Sequence, residues 1–261
     1  MPTLDYLGAL AADSDRFAEV IARTPQDRRV PSCPDWAAAD LWFHLAEVQW
    51  FWARIVGGPL TETAEVEALP EPERPADLGA FFAKATTALR EALAAVPPET
   101  PAWTWAEEQT AGFSRRRQAH EALIHRVDAE LTAADRTPLD AALAADGVAE
   151  VLTVMYGDPP RDWGEFRPDP ARVIEVVSTD TGDRWRTQVG RFTGTSRSGK
   201  EHDLLTLDVA EPGTEPSAVI SGTAADLDCW FWRRTPYGAV ITEGDPATLD
   251  ALAVVMRAGI N

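Results

Sequence analysis

Residues 120–130 read HEALIHRVDAE, and the spacing of three side chains in this stretch decides how the chain is read. His120, Glu121 and His125 are metal-ligating or proton-moving types. Successive helical residues turn by about 100°, so Glu121 and His125, four apart, lie within roughly 40° of one another. His120 and His125, five apart, diverge by roughly 140°. The zinc-protease signature H-E-x-x-H needs its histidines at i and i+4, so this is not that motif. The converging pair is Glu121 with His125, and His120 points elsewhere. A catalytic zinc takes three protein ligands and keeps one position open, so this helix alone is insufficient. The other histidines are His44, in DLWFHLAEV, and His202, in GKEHDLL beside a turn signal. His44 sits about 12 Å along its helix, and Glu121 and His125 about 12 to 18 Å along theirs. That depth permits convergence without requiring it. A hydrogen-bonded core histidine and a solvated Glu/His face are equally compatible with the spacing.

Working outward, the first half is helical. Residues 3–24 place Leu7, Leu10, Ala11, Phe17, Val20 and Ile21 on one stripe. VPSCPDW (30–36) carries Pro31 and Pro34 and reads as a turn, after which Asp35 caps a helix running to about Val56. That helix aligns Leu41, Leu45, Val48, Trp52 and Ile55. Pro59 to Pro75 reads as a solvated crossover. A third helix spans about 76–96, with Leu78, Phe82, Ala85, Leu89 and Leu93 as its face, and a fourth spans about 113–133. Four amphipathic helices of similar length predict a four-helix bundle. A shorter helix, 147–156, follows Asp146 as its cap. GDPPRDWGEFRPDP (157–170) reads as the boundary, giving domains 1–158 and 170–261. Beyond it the period changes to two. Strands are expected at 172–179, 184–192, 203–210, 216–222 and 238–244, with helices at 223–234 and 246–259. The second half is thus a small α+β domain with an antiparallel sheet, and the whole chain is α+β.

Composition excludes several classes. The chain has 261 residues and a net charge of −18, from 24 Lys and Arg against 42 Asp and Glu. Clustered basic residues, which a phosphate backbone or an anionic membrane needs, are not evident, so neither nucleic acid nor membrane is expected as a partner. There is no signal-peptide pattern and no run of about 18 apolar residues. Two distant cysteines, Cys33 and Cys229, do not form a disulfide framework, which points to the reducing cytoplasm. Lysine is nearly confined to arginine's shadow, at Lys84 and Lys200 alone, a high-GC coding pattern such as actinobacteria show.

VPSCPDW…ADLWFHLAEVQWF (30–51) followed by RRRQAHEALIHRVDAELTA (115–133) resembles the mycothiol-dependent maleylpyruvate isomerase family, part of a wider DinB-like group of four-helix metalloenzymes. AADGVAEVL (144–152), SGTAADLDCWFWRR (221–234) and ITEGDPATLDALA (241–253) are similar to the family's later segments. The resemblance implies a DinB-like bundle holding zinc or another divalent metal through one histidine of the second helix and a Glu/His pair of the fourth. Those positions fall on His44, Glu121 and His125. It further implies mycothiol as the thiol cosubstrate, a small-molecule electrophile such as maleylpyruvate as substrate, and a C-terminal domain covering the metal's open side. That domain would supply an arginine for a substrate carboxylate; the pattern after WFW matches best at Arg234, with Arg233 standing where the family commonly has glycine. The expected assembly is a monomer or weak homodimer. Isomerase and thiol S-transferase share this site. A hydrolase or lyase using zinc-bound water and a non-catalytic metal- or ligand-binding regulator are the alternatives. Cys33 reads as a small buried cysteine at a helix start, and Arg126 and Asp128 as making hydrogen bonds that either orient the ligands or join helices, not catalytic contacts.

Overall fold

The computed structural model describes residues 4–196 and 198–257. Residue 3 of the first expected helix and residues 258–259 of the last lie outside them. The chain divides into two compact units between Thr137 and Pro138.

The N-terminal unit is built on four long helices: α1 (Tyr6–Ala22), α2 (Ala38–Gly57), α4 (Leu78–Ala95) and α5 (Ala111–Ala133). Their ends follow local chemistry. Asp5, Asp77 and Thr110 accept the backbone N–H of Gly8, Ala80 and Phe113, satisfying donors that no helical carbonyl reaches. α2 differs from expectation. Its first turn is held by Asp40, whose carboxylate accepts the Ala37 N–H at 2.8 Å. Asp35 instead lies in a short hairpin of β1 (Arg29–Val30) and β2 (Cys33–Ala37). The crossover after α2 holds one short helix, α3 (Thr63–Glu67).

α1 packs chiefly on α5 and α2 on α4, with α2 also touching α5. Two apolar clusters fill the interior. One gathers Leu10, Trp52, Ile55, Leu89 and Leu93; the other gathers Phe17, Ile21, Leu41, Leu45 and Phe82. The stripe expected for α4 is buried throughout; those of α1 and α2 are buried except for Leu7, Ala11 and Val48, which are half-buried. α5 is different in kind: it buries Arg117, Gln118, His120, His125, Asp128 and Glu130. Glu130 is held by Arg16 of α1 at 2.9 Å and by Arg126 at 3.3 Å, and Arg126 also reaches Asp13 of α1 at 2.6 Å. Charges buried this deeply are tolerated only when paired and hydrogen-bonded.

The C-terminal unit starts earlier than the expected boundary. α6 (Ala141–Glu150) is capped by Asp140, which accepts the Leu143 N–H at 2.9 Å, rather than by Asp146. It continues into one π-helical turn, Val151–Met155. α6 packs on α7 (Ala224–Phe231), so closely that a Cβ on Gly147 would meet the Asp228 carboxylate at 2.8 Å. Segment 157–170 is only partly a linker, because its second half is strand. β3 runs Gly164–Ser178, pairing Gly164–Pro168 with 190–194 and Val173–Val177 with 184–188 across a register shift. Pro168 and Pro170 fall at that irregularity, where a missing N–H breaks no ladder bond.

β4 (Arg184–Thr195), β5 (Glu201–Val209), β6 (Ala218–Gly222) and β7 (Ile241–Gly244) complete a sheet of order β5-β4-β3-β6-β7. It is mixed rather than wholly antiparallel: β3 and β6 run parallel. The connection 210–217 carries the chain from β5 to the far side of β3, so β6 does not enter through a hairpin, the connection that forces antiparallel pairing. α8 (Pro246–Arg257) packs on β3 to β6. No helix among the described residues is long and apolar enough to cross a membrane.

Candidate metal centre

α2 contributes His44 and α5 contributes Glu121 and His125. One ligand atom from each lies within 4.8 Å of the others. Glu121 Oε1 is 3.0 Å from His125 Nε2 and 3.7 Å from His44 Nε2. The two imidazoles meet edge to face with centroids 4.9 Å apart. Bonds of about 2.0–2.2 Å from histidine nitrogen and carboxylate oxygen to zinc place neighbouring ligand atoms a little over 3 Å apart. The donor set and its two separations from Glu121 are of the kind such a cation takes.

Each ligand is held by a further contact. His125 Nδ1 faces Asp128 Oδ2 at 2.9 Å, which leaves Nε2 facing Glu121 and His44. Asp128 is fully buried and also accepts from the Ser32 hydroxyl in the β1–β2 hairpin. Glu121 Oε2 accepts from Arg117 Nη2 at 2.9 Å, leaving Oε1 for the cluster. The Trp36 ring packs on His44 at 4.8 Å. A carboxylate behind a ligating imidazole fixes its tautomer and raises its basicity.

The electrostatics follow from this packing. Burial alone would raise the Glu121 carboxyl, but the charge and hydrogen bond of His125, a hydrogen bond from His44 and the charge of Arg117 outweigh it and hold it well below the carboxylate range. Burial would lower His125, but the charge of Glu121 and the hydrogen bond to Asp128 win, pushing it up to about 9. Ligating groups must give up their protons to a cation, so metal binding at such a cluster would be opposed at low pH.

The other sequence candidates sit elsewhere. His120 is buried and meets the Tyr6 ring edge to face at 6.2 Å. His202 lies on β5 in the C-terminal unit and packs on Trp163 at 5.1 Å. Cys33 is half-buried in β2, not in a helix start, and Cys229 is buried. Arg126 serves α1 and the Thr137 turn, while Asp128 orients His125. Arg234 belongs to the C-terminal unit, just past α7, where its Nη1 donates to the Trp232 carbonyl at 2.6 Å. Arg233 before it occupies the left-handed region at φ 61°. It closes α7 through Arg233 N–H to Trp230 O and Arg234 N–H to Cys229 O, a helix end that ordinarily selects glycine. Sequence reasoning missed Arg117, Ser32 and Trp36 as supports of the cluster. For Arg117 a signal was present: it stands four residues before Glu121 within a run of three arginines.

Comparison with known proteins agrees with this architecture. The mycothiol maleylpyruvate isomerase N-terminal domain matches residues 7–130, and the MDMPI C-terminal domain matches residues 142–251, bracketing the division at Thr137. No curated protein matches the chain in sequence. Among solved structures, the mycothiol-dependent maleylpyruvate isomerase superposes with a TM-score of 0.57 at 13% identity, and a histidine-to-alanine mutant of it with 0.56 at 12%. Each alignment covers 94% of this chain and 95% of the other. Identities this low speak to the fold. The two successive domain matches, with the fold likeness over nearly the full length, carry the conclusion: the chain belongs to the mycothiol-dependent maleylpyruvate isomerase family.

Proposed function

We propose that this chain is a mycothiol-dependent metalloenzyme, an isomerase or thiol S-transferase acting on a small electrophile such as maleylpyruvate. The observation that carries the reading is the convergence of His44, Glu121 and His125, with Asp128 behind His125. These three residues would hold a divalent cation, zinc by donor type, leaving one position for a further ligand. When bound there, a cation lowers the pKa of a thiol so that it reacts as the thiolate nucleophile, which can add to a cis double bond, permit rotation and leave, or can stay attached to the electrophile.

The protein's own groups set the stage for that chemistry. Asp128 keeps His125 in the tautomer that presents Nε2. Arg117 neutralises the far oxygen of Glu121 and stops the carboxylate from turning away. Trp36 limits rotation of the His44 ring. We assign Arg234 to a carboxylate of the substrate, on the matched pattern after WFW and the bidentate geometry that guanidinium offers. A reducing cytoplasmic setting suits a low-molecular-weight thiol cosubstrate.

The test is turnover of maleylpyruvate by zinc-loaded protein with and without mycothiol. Mycothiol-dependent isomerisation, lost on chelation and restored by zinc, is expected. Failure to isomerise maleylpyruvate, together with failure to conjugate mycothiol to a generic electrophile such as a bimane, would overturn the reading.

A further inference from the structure

The polar face of α5 is a continuous stripe. Ser114, Gln118, Glu121, His125, Asp128 and Thr132 fall within roughly 80° of arc. Along it the side chains have protein partners, with one exception. Thr132 donates to the Asp128 carbonyl at 2.7 Å, Asp128 faces His125, His125 faces Glu121, and Ser114 points its hydroxyl at the Thr110 carbonyl. Gln118 is 1% exposed. Among the described residues, neither its Nε2 nor its Oε1 has a hydrogen-bond partner.

A second buried glutamine in the same bundle shows how the fold treats an amide it uses structurally. Gln49 is fully buried; its Nε2 donates to Ser14 Oγ at 2.9 Å and its Oε1 accepts from Thr86 at 2.5 Å. Both ends of Gln49 are met, and both ends of Gln118 are not. An unmet buried amide costs stability that an apolar side chain of like size would recover. An unmet amide on the face of α5 that also carries Glu121 and His125 is therefore available to a partner that is not part of the protein.

Position says what that partner is near. Gln118 stands about 4.5 Å along the helix axis and roughly 60° round it from Glu121, and about 10.5 Å along and roughly 20° round from His125, on the same face of α5. A primary amide offers two N–H donors and one acceptor and stays neutral across the ordinary pH range. It can therefore bind a carboxylate or carbonyl without altering the charge that the cluster presents to a cation.

We propose that Gln118 is a substrate-binding residue, whose amide N–H donates to a carboxylate or carbonyl oxygen of the electrophile held beside His44, Glu121 and His125. The identity of that electrophile rests on the function proposed above; the contact itself does not. Gln118 takes the reacting molecule rather than the thiol, whose sulfur belongs at the cation.

The experiment is calorimetric binding of maleate to zinc-loaded protein in the absence of any thiol, comparing the parent with Gln118→Met. The variant is expected to keep stoichiometric zinc and a Tm equal to or above the parent's, and to bind maleate at least about tenfold more weakly, because a hydrogen bond built for the ligand is gone. Maleate affinity within twofold of the parent's, or no measurable binding by the parent, overturns the inference. So does loss of zinc or a lowered Tm in the variant, which would mark Gln118 as structural. The two readings fail separately. Gln118-dependent maleate binding without mycothiol-dependent turnover removes the isomerase reading and leaves the contact. Normal turnover with maleate binding indifferent to Gln118 does the reverse.

Discussion

α4 and α5 are neighbours in one bundle and solve burial in opposite ways. α4 buries Leu78, Phe82, Ala85, Leu89 and Leu93, with Thr86 as the polar exception. Its stability comes from apolar surface removed from water. α5 buries two histidines, two carboxylates, an arginine and a glutamine. Each buried charge there loses hydration that only a partner returns, so α5 is held in place by named pairs: Arg117 with Glu121, His125 with Asp128, and Glu130 with Arg16 and Arg126. A helix with an interior of that composition is not the cheapest way to close a bundle. The difference is why the proposed chemistry is placed on α5 and not on α4.

Substitutions on the two helices should therefore fail differently. The largest effect is expected for His125→Ala, and for His44→Ala on α2. Removing one of three ligands should weaken zinc binding on the order of a thousandfold, read by competition with a chromophoric chelator, while the far-ultraviolet circular dichroism stays helical. On α4, Leu89→Ala should lower unfolding stability by about 2–5 kcal/mol and leave zinc stoichiometry untouched. If Leu89→Ala also loses zinc at temperatures where it is folded, the division of labour is wrong.

A smaller effect is expected for Asp128→Asn. Losing the carboxylate behind a ligating histidine should cost roughly 10–100-fold in zinc affinity. The same variant has a pH signature in chelator-stripped protein. His125 is raised to about 9, so its protonated form stabilises the fold. That contribution is fully present below the ordinary imidazole value near 6.5, and it is lost as pH rises through about 9. Asp128→Asn should shrink this loss, measured as urea midpoints between pH 6 and 10. The smallest effect lies at the helix ends. α5 ends on Ala134 in the left-handed region at φ 54°, whereas α4 ends on extended Val96 before two prolines. Ala134→Gly should stabilise by up to about 1 kcal/mol, and Val96→Gly should not.

The same contrast explains what the sequence disclosed. The apolar stripes of α1, α2 and α4 repeat at helical spacing, and the strands alternate, so these elements were legible from periodicity. Glu121 and His125 were legible because i,i+4 is a local relation. Convergence of His44 with them depends on how α2 packs on α5, which no local pattern contains; only the family resemblance joined them. Prolines told only part of the story. The turn expected from Pro31 and Pro34 forms at 31–32, but it joins two short strands, with Pro34 inside the second, and brings Ser32 to Asp128. Pro168 and Pro170 suggested a linker where β3 merely breaks its register. α6 was grouped with the bundle because it is another helix, yet it packs on α7, a pairing set by tertiary contact at Gly147 and Asp228. Nothing in the sequence distinguishes Gln118 from other polar residues of a charged helix; its burial, and the lack of a hydrogen-bond partner among the described residues, are tertiary facts.

In the proposed reaction a thiol enters a coordination position left by His44, Glu121 and His125. The visible spectrum of the cobalt-substituted protein titrated with mycothiol reads this directly. A saturable sulfur-to-cobalt charge-transfer band is expected in the parent and none in His125→Ala. A cobalt spectrum in the parent that mycothiol leaves unchanged would contradict it.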